Sequence, residues 1–489
     1  MAEFMAREPL IFERSAPGRT GVELPSPDVP VTPLPAELAR DDLPLPEVGE
    51  LEVVRHFTRL SQLNFAVDVG FYPLGSCTMK YNPKINDTIA ALPGFTAIHP
   101  YQDPNTVQGA LQLMYELQAW LAEIAGLPGV TLQPSAGAHG ELTGALIIRA
   151  YHESQGHPRR VILVPDSAHG TNPATAAMVG YETVTVPTGA GGGVDVAQLR
   201  ALLNEDVAGL MITNPSTLGL FERRILEVAE LVHSVGGLIY MDGANMNAIA
   251  GAVKPGKVGA DILHYNLHKT FAVPHGGGGP GAGATAVRDF LEPFLPVPIV
   301  VRRGERYEFD YDRPQSIGRV RAFYGNFNNA VRGYVYMRTL GADGIDDMSK
   351  TAVLNANYIR VNLRDDYYLP YDRVCMHEAV FSGQWQVEQT RGLDHPVRTL
   401  DIAKRLIDFG IHPPTIYFPL IIEEALMIEP TETESKATLD RFIDVMKEIA
   451  REVRTEPEVV LSAPHKAPLA RLDEVRAARQ PVLRWKPET

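Results

Sequence analysis

The chain is poor in cysteine, in basic charge and in long apolar runs, and each shortage excludes a class of protein. Cys77 and Cys375 are the only cysteines, too few for a disulfide framework and suited to a reducing cytoplasm. The formal charge of −14 argues against binding to nucleic acid or to an acidic membrane surface. No run approaches the roughly 18 uncharged residues of a membrane span, and the start lacks the order of a signal peptide. We therefore expect a cytoplasmic protein.

The remaining composition is that of an ordinary folded protein. Hydrophobic residues make up 45% and charged residues 21%, values typical of globular proteins. A chain of 489 residues exceeds the usual size of one domain, so about two or three are expected. We predict an extended N-terminal arm with a helical segment at 1–80, a large α/β domain at 81–330 and a smaller α+β domain at 331–489.

The predicted arm is marked by proline. Residues 23–50 contain seven prolines, which interrupt regular hydrogen-bond ladders and favour an extended path. Two interpretations remain: a flexible tail, or an arm that lies across another surface. The apolar residues between the prolines favour the arm.

Short apolar segments typical of strands alternate with segments of helical periodicity in the middle of the chain. Buried strands are predicted at 159–167 and 181–188, further strands at 207–216, 238–245 and 260–267, and helices from about residue 105 and at 142–153, 171–180 and 224–237. Repeated strand–helix units favour a mostly parallel sheet covered by helices, with ligands at the carboxyl ends of its strands. Beyond about residue 330 the pattern changes, and the segment at 400–414 is followed by a strand-like segment at 415–430 and a long helix at 435–453.

The unusual residues of the chain fall at these strand ends. They are the small residues of "QPSAGAHGE" (133–141) before a helix, His169, Thr213 with Asn214, Asp242, and Lys269. Taken alone, the segment 133–141 is either an anion-binding site or an ordinary turn, and His169 is either a ligand-binding residue or an ordinary loop residue. Asp242 follows four apolar positions, and an acid in such a place is expected to be paired or functional.

Together these residues match the needs of pyridoxal phosphate. The amine of Lys269 condenses with the aldehyde, the carboxylate of Asp242 keeps the pyridine nitrogen protonated, and the ring of His169 stacks on the cofactor. The free N–H groups at a helix N-terminus hold the phosphate. The glycine run after Lys269 lets backbone approach the cofactor or a neighbouring chain.

A zinc site is the alternative that the histidines raise. His264 and His268 are four residues apart, which on a helix would place both imidazoles on one face. The segment is predicted as a strand, however, and no glutamate stands in the position that HExxH requires. We therefore favour the pyridoxal interpretation.

Long motifs then relate the chain to a known family. "PLGSCTMKYNP" (73–83), "QPSAGAHGE", "DSAHGTNPA", "MDGANMNA" and "LHKTFAVPHGGGGPGAG" together resemble the glycine cleavage system P-protein, glycine dehydrogenase (decarboxylating). The resemblance runs over essentially the whole chain from "PLIFERS" onward. The length is similar to that of the second subunit of the two-subunit bacterial form.

The resemblance implies a type I aminotransferase-like fold and a reaction in which glycine loses carbon dioxide while its aminomethyl group passes to the lipoyl arm of the H-protein. It implies that pyridoxal phosphate is covalently bound to Lys269, with Asp242 at the pyridine nitrogen and His169 stacked on the ring. Its remaining implied cofactor-binding residues are Ala136 and Gly137 at the phosphate, Ala244 on the other ring face, Thr213 and Asn214 near the cofactor hydroxyl, and His268. The partners that it implies are a homologous first subunit, with two copies of each subunit, and the lipoylated H-protein.

Alternatives remain for the loop and for the activity. Ser76, Cys77 and Lys80 either shape the pocket or belong to ordinary loop packing, and Cys77 is either reactive or a small buried residue. Another type I pyridoxal enzyme, such as an amino-acid decarboxylase or a cysteine desulfurase, fits the lysine chemistry but not the long motifs. A catalytically silent scaffold subunit would need neither Asp242 nor Lys269.

Overall fold

The computed structural model describes residues 8–40, 43, 45–275 and 281–484. They fall into two compact units, one within residues 1–70 and 463–489 and the other at 71–462. One helix, Phe327–Leu363, crosses the predicted boundary at 330. The three-part division at 1–80, 81–330 and 331–489 stays a prediction.

The smaller unit consists mainly of chain without regular structure. Its helices are the 3₁₀-helix Ile11–Arg14 and the α-helices Glu50–Gln62 and Glu474–Arg479. The described residues between 15 and 49 form neither helix nor strand, as the prolines predict. Glu8 holds the start of this unit in place: its carboxylate accepts from Arg59 Nε at 2.6 Å, and the hydrogen bonds from Arg59 lower the pKa of Glu8 to about 2.

A seven-stranded sheet forms the centre of the larger unit. Its strands are β1 (Gly129–Thr131), β2 (Val161–Pro165), β3 (Glu182–Val186), β4 (Val207–Thr213), β5 (Leu238–Gly243), β6 (Ile262–Asn266) and β7 (Gly283–Val287), in the order β1-β7-β6-β5-β4-β2-β3. The pairs from β3 to β6 are parallel, whereas β7 is antiparallel to both of its neighbours. The prediction of a mostly parallel sheet is confirmed.

Helices cover this sheet because their apolar faces have the required period. In the helix Gln108–Ala125, the residues Leu111, Met114, Leu117 and Leu121 recur at three- and four-residue steps and are buried, and Gly126 ends it at φ 65°. The other α-helices of the unit are Lys84–Ala90, Pro93–Thr96, Gly137–Ser154, Thr171–Met178, Val196–Leu202, Ile225–Ser234, Leu267–Thr270, Phe327–Leu363, Gln384–Gln389, Thr399–Asp408, Lys436–Thr455 and Pro457–Leu461. Its 3₁₀-helices are Pro104–Thr106, Met246–Ala248, Pro255–Val258 and Asp289–Phe294.

The C-terminal part of the larger unit is built on a small antiparallel sheet. Strands β10 (Ala379–Ser382), β11 (Thr415–Ile416) and β12 (Ala425–Ile428) pair in the order β10-β12-β11. A separate hairpin joins β8 (Ile299–Arg303) to β9 (Arg306–Asp310). Within the described residues, no helix combines the length and apolar character needed to cross a bilayer.

Several predicted elements differ from those observed. Strand β3 is predicted to be buried, yet its first four residues are exposed or half-buried, because it is the edge strand of the sheet. The segment 415–430 forms two short strands instead of one. The helix predicted at 142–153 begins earlier, at Gly137, and the long helix Phe327–Leu363 was not predicted. That helix is interrupted at Gly341, whose φ of 65° is non-helical.

A buried lysine joins distant segments of the larger unit. Lys80 Nζ donates to Glu432 Oε1 at 2.8 Å and to Asn247 Oδ1 at 2.7 Å, and Tyr336 and Met348 lie beside it. Burial opposes the charge of Lys80, but the Glu432 carboxylate raises the pKa of the amine. Lys80 was interpreted either as a residue that shapes the pocket or as part of ordinary loop packing, and these contacts favour packing.

This ion pair gives a first prediction. Replacing Lys80→Met leaves the Glu432 carboxylate buried without its cation, and we expect the free energy of unfolding to fall by about 3–5 kcal/mol. The double variant Lys80→Met with Glu432→Gln should recover part of that loss. Urea denaturation followed by circular dichroism measures both. The control is Lys350→Met, which breaks an exposed pair with Asp346 and should cost far less stability; an equal loss in both lysine variants would contradict the prediction.

Candidate active site

The carboxyl ends of three neighbouring strands bring the central site residues together. Thr213 in β4 lies opposite Asp242 in β5, and Asp242 lies opposite His264 in β6. Residues that are opposite one another in a sheet share a face. The three side chains therefore form one row, on the face that carries the helix Gly137–Ser154, since a Cβ on Gly140 of that helix would lie 2.9 Å from His264 Cβ.

Lys269 lies directly beyond this row. It was predicted at the end of strand β6, and it stands instead in the single helical turn Leu267–Thr270 that follows the strand. The side chain is half-buried, and its Nζ donates to the Ser76 carbonyl at 2.7 Å. The Lys269 amine is thus held by the loop of residues 75–78.

Asp242 is a buried carboxylate in a fixed orientation. It is 2% exposed, its Oδ1 accepts from the Ala244 N–H at 2.8 Å, and His264 Nε2 lies 3.4 Å from the same oxygen. Burial lowers the pKa of His264, although the Asp242 charge opposes the shift. The imidazole is therefore neutral at neutral pH.

Both nitrogens of His264 already have protein partners, which bears on the zinc alternative. Nδ1 contacts the Tyr240 hydroxyl and Nε2 contacts Asn266 Oδ1 at 2.7 Å. The neighbouring His268 directs its Nδ1 to the Ala282 carbonyl at 3.1 Å. These contacts occupy both ring nitrogens of His264 and the Nδ1 of His268.

Glu141 is a candidate functional residue that the sequence interpretation missed. It is buried beside Asp242, with acceptor atoms of Glu141, Asp242 and His264 within 4.8 Å of one another. Its Oε1 accepts from Thr171 Oγ1 at 2.8 Å, whereas Oε2 has no partner among the described residues. Burial and the Asp242 charge raise the pKa of Glu141 to about 8, so the group is mostly protonated at pH 7. The sequence feature that could have identified Glu141 is that it is the only acid within "QPSAGAHGE".

His169 lies at the mouth of the same site. Its Nδ1 is 2.9 Å from Thr171 Oγ1, which connects it to Glu141, and its ring meets that of Phe418 edge-on at a centroid distance of 5.6 Å. The surrounding protein atoms, and then the charge of Lys269, lower the pKa of His169. A neutral, exposed aromatic ring is thus available beside Lys269 and Asp242.

The predicted anion site corresponds to a real helix start. Ala136 is the N-cap of the helix Gly137–Ser154, and the first N–H groups of a helix lack intrahelical acceptors. Gly137 has no room for a side chain, since a Cβ there would lie 2.4 Å from Asn266 Oδ1. The backbone N–H groups at this end can approach an anion closely.

Unpaired polar atoms point to a missing ligand at the sheet edge. Thr213 Oγ1, Asn214 Nδ2 and Thr270 Oγ1 are buried and have no hydrogen-bond partner in the described part of the chain. Buried polar groups without a partner are costly. A ligand that supplies acceptors to this edge would satisfy them.

Cys77 is half-buried in the loop next to Lys269. Burial raises the pKa of its thiol, against the opposing effect of Lys269, so a reactive thiolate is disfavoured. Burial also raises the pKa of Cys375 to about 12. Both cysteines are free thiols.

The glycine run after Lys269 lies mostly outside the described residues, at 276–280. Of the described glycines next to it, a Cβ on Gly281 would lie 2.7 Å from His268 Nδ1 and one on Gly283 would lie 2.5 Å from the Ala136 carbonyl. These two glycines allow close packing within this chain.

Comparison with known proteins places this site in a family context. The profile of the "Glycine cleavage system P-protein" family matches residues 31–388, and that of the "Glycine dehydrogenase, C-terminal domain" matches 348–467. The "Probable glycine dehydrogenase (decarboxylating) subunit 2" of Caldanaerobacter subterraneus subsp. tengcongensis is 57% identical over 482 residues, which are 97% of this chain and 98% of that protein. The protein of the same name from Listeria innocua is 57% identical over 486 residues, 98% of each chain.

Solved structures share the fold at lower identity. A crystal structure of glycine decarboxylase (P-protein) of the glycine cleavage system, in inhibitor-bound form, superposes with a TM-score of 0.71 at 22% identity, over 85% of this chain and 93% of that one. A cysteine desulfurase from Thermococcus onnurineus NA1 superposes with a TM-score of 0.60 at 15% identity, over 78% and 95%. The predicted type I fold is confirmed. The profile match over more than half of the chain, together with the relatives at full length, confirms the resemblance: the chain belongs to the glycine cleavage system P-protein family.

Proposed function

We propose that this chain binds pyridoxal phosphate on Lys269, decarboxylates glycine and passes the aminomethyl group to the lipoyl arm of the H-protein. The observation that carries the proposal is the meeting of three features at one sheet edge: the Lys269 amine, the buried Asp242 carboxylate and the N-terminus of the helix Gly137–Ser154. When bound, the cofactor supplies an electron sink for the electrons of the broken carboxylate bond.

Asp242 is suited to holding a proton on the ring nitrogen. Its orientation is fixed by the Ala244 N–H and by His264, and a buried anion stabilises a cation strongly. Glu141 supports this role by remaining largely neutral, because burial and repulsion by a neighbouring carboxylate both disfavour a second anion at this position.

The remaining predicted residues would contact the cofactor around Asp242 and Lys269. Ala136 and Gly137 would hold the phosphate through N–H groups, and His169 and Ala244 would contact the two faces of the ring. The unpaired atoms of Thr213 and Asn214 suit the cofactor hydroxyl. His268 stays a predicted cofactor residue, with Nδ1 already bonded to Ala282. We propose that the reaction takes place in the cytoplasm, because a chain with only two cysteines is suited to a reducing compartment.

The experiment that tests the activity is exchange of labelled bicarbonate into the carboxyl group of glycine. We expect exchange to require both pyridoxal phosphate and lipoylated H-protein. Decarboxylation of another amino acid in place of glycine would favour another type I enzyme. Absence of exchange with every partner present would favour a silent scaffold subunit.

The role of Lys269 gives the second prediction. Lys269→Ala should abolish the absorption band of the lysine-bound cofactor and reduce glycine exchange to background, since the proposed covalent attachment is lost. The far-ultraviolet circular dichroism spectrum should stay that of the parent. Lys254→Ala, which removes an exposed lysine paired with Glu123, should leave both band and exchange intact. Persistence of the band in Lys269→Ala would disprove the attachment.

The third prediction concerns Asp242. Asp242→Asn should still bind the cofactor but slow glycine exchange by about 10²-fold or more, because an amide does not stabilise the protonated ring nitrogen. The matched control is Asp261→Asn, which alters an equally buried acid directly before strand β6. Exchange near the parent rate in Asp242→Asn would mean that another group serves the nitrogen.

A fourth prediction concerns assembly. We propose that the chain works with a homologous first subunit, two copies of each, and that the proline-rich arm contacts it. Apolar residues of the arm are strongly exposed in the single chain, Leu24 at 84% and Leu34 at 70%, and such surface is expected to be covered by a partner.

We expect the chain expressed alone to be less soluble and less active in exchange than the chain expressed with the first subunit. Leu24→Ser with Leu34→Ser should weaken the association, measured by light scattering, whereas the control Leu226→Ser on an exposed helix position should not. A stable homodimer of the solitary chain with full glycine exchange would rule out an obligate partner.

A further inference from the structure

The loop that contacts Lys269 has an unfavourable backbone conformation. Ser76 and Thr78 have φ angles of 64° and 46°, in the left-handed region that residues with a side chain seldom adopt. Such conformations persist only where the surroundings enforce them, and they concentrate at functional sites. The Ser76 carbonyl, which accepts from Lys269 Nζ at 2.7 Å, belongs to this loop.

Two buried glutamates hold the loop in this conformation. Glu378 Oε2 accepts from the Ser76 N–H at 2.9 Å, and Glu429 Oε2 accepts from the Thr78 N–H at 3.1 Å. The C-terminal sheet places these two acids side by side. Ala379 in β10 is opposite Ile428 in β12, so Glu378 and Glu429 occupy the next positions along the two strands.

The surroundings of the loop leave it little freedom. A Cβ on Gly75 would lie 2.2 Å from Met427 Cγ, and the Gly75 carbonyl accepts from Thr415 Oγ1 at 2.7 Å. The backbone is therefore held both at Gly75 and at the two N–H groups that the glutamates bind.

The two acids lie in a fully buried cluster with His377. All three side chains are 0% exposed, and their acceptor atoms lie within 4.8 Å of one another. Glu378 Oε1, Glu429 Oε1 and both ring nitrogens of His377 have no hydrogen-bond partner within the described residues. Two anions without direct cation partners are not tolerated at this depth.

The charges around the cluster indicate how it is neutralised. The neighbouring ionisable groups are Lys269, Lys80 and Cys77. Burial and the neighbouring Glu429 raise the pKa of Glu378 well above its ordinary value. Burial likewise raises the pKa of Glu429 to about 7 and lowers that of His377 to about 3. Neutral His377 and protonated Glu378 then leave Glu429 as the group that titrates near neutral pH.

We propose that Glu378 and Glu429 are positioning residues for Lys269, which hold the strained loop so that the Ser76 carbonyl fixes the lysine amine. Glu378 does this as a neutral acid, through the oxygen that accepts the Ser76 N–H. The importance of this for catalysis rests on the proposed role of Lys269. The contact itself is a property of the chain without cofactor.

The test measures the reactivity of Lys269 in the cofactor-free chain. Reductive methylation with formaldehyde and cyanoborohydride, followed by peptide mass spectrometry, gives the rate of modification at Lys269. Glu378→Ala removes the acceptor of the Ser76 N–H, and we expect the rate to change by about tenfold, the effect of one buried hydrogen bond. Glu378→Gln keeps the acceptor oxygen and the neutral charge, so its rate should stay within about twofold of the parent.

The control variant is Glu424→Ala. Glu424 is also buried and also accepts a backbone N–H, that of Thr399 at 2.9 Å, but it does not bind the loop. Its replacement tests whether a general loss of stability alters Lys269, and we expect no change in the methylation rate. An unchanged rate in Glu378→Ala, or equal changes in Glu378→Ala and Glu424→Ala, would overturn the proposal.

A second measurement covers the case in which Glu378→Ala does not fold. A carboxyl whose folded pKa is raised stabilises the fold below its unfolded pKa, and this stabilisation is lost as the pH rises through the folded value. The stability of the parent relative to Glu378→Gln should therefore fall as the pH rises above the ordinary pKa of a glutamate, since the folded pKa of Glu378 is raised. Parallel pH profiles for the two proteins, or a divalent ion recovered in stoichiometric amount with the cluster, would contradict a neutral Glu378.

These outcomes are distinct from failure of the proposed function. If Lys269→Ala retained the cofactor band, the attachment would be wrong, yet the methylation rates would still decide whether the glutamates position the amine. If the rates were insensitive to Glu378, the attachment would be unaffected.

Discussion

The cost of burying ionisable side chains is the constraint on which the centre of this molecule depends. Lys269 stands between two groups of buried acids, Asp242 with Glu141 on the sheet and Glu378 with Glu429 in the C-terminal part. Water is not available to stabilise four anions there, so each group has to limit its charge. Protonation of Glu141 and Glu378 does this. Asp242 differs from them in its contacts, since its carboxylate accepts a backbone N–H and lies beside a neutral histidine.

The main features of the fold and several candidate site residues could be predicted from the sequence because both depend on local patterns. Strands β2, β4, β5 and β6 are short apolar runs that end in polar residues, and parallel strands bring those ends to one edge. Asp242 and Lys269 were therefore identifiable as neighbours although 27 residues separate them along the chain. The strand pattern alone predicted a mostly parallel sheet covered by helices. The long motifs identified the family, and the family implied the specific type I fold.

The residues that escaped prediction depend on contacts between distant segments. The Ser76 N–H bonds to Glu378 and the Thr78 N–H to Glu429, across about 300 residues and more, and nothing local marks either acid. Glu141 was visible as the only acid of "QPSAGAHGE", but its protonation follows from its burial and from the neighbouring Asp242 charge. Strand β3 was predicted as a short buried strand, whereas its place at the sheet edge is a consequence of topology.

The position of Lys269 couples the two acid groups. Its positive charge lowers the pKa of Glu141 on one side and of Glu378 and Glu429 on the other, against the larger effect of burial. Any event that removes the charge from Nζ must therefore raise the pKa of all three acids and favour their protonation. The acids respond by holding protons when the lysine is neutral and by releasing them more readily when it is charged. Protons taken up by these acids would therefore offset part of any positive charge that Lys269 loses.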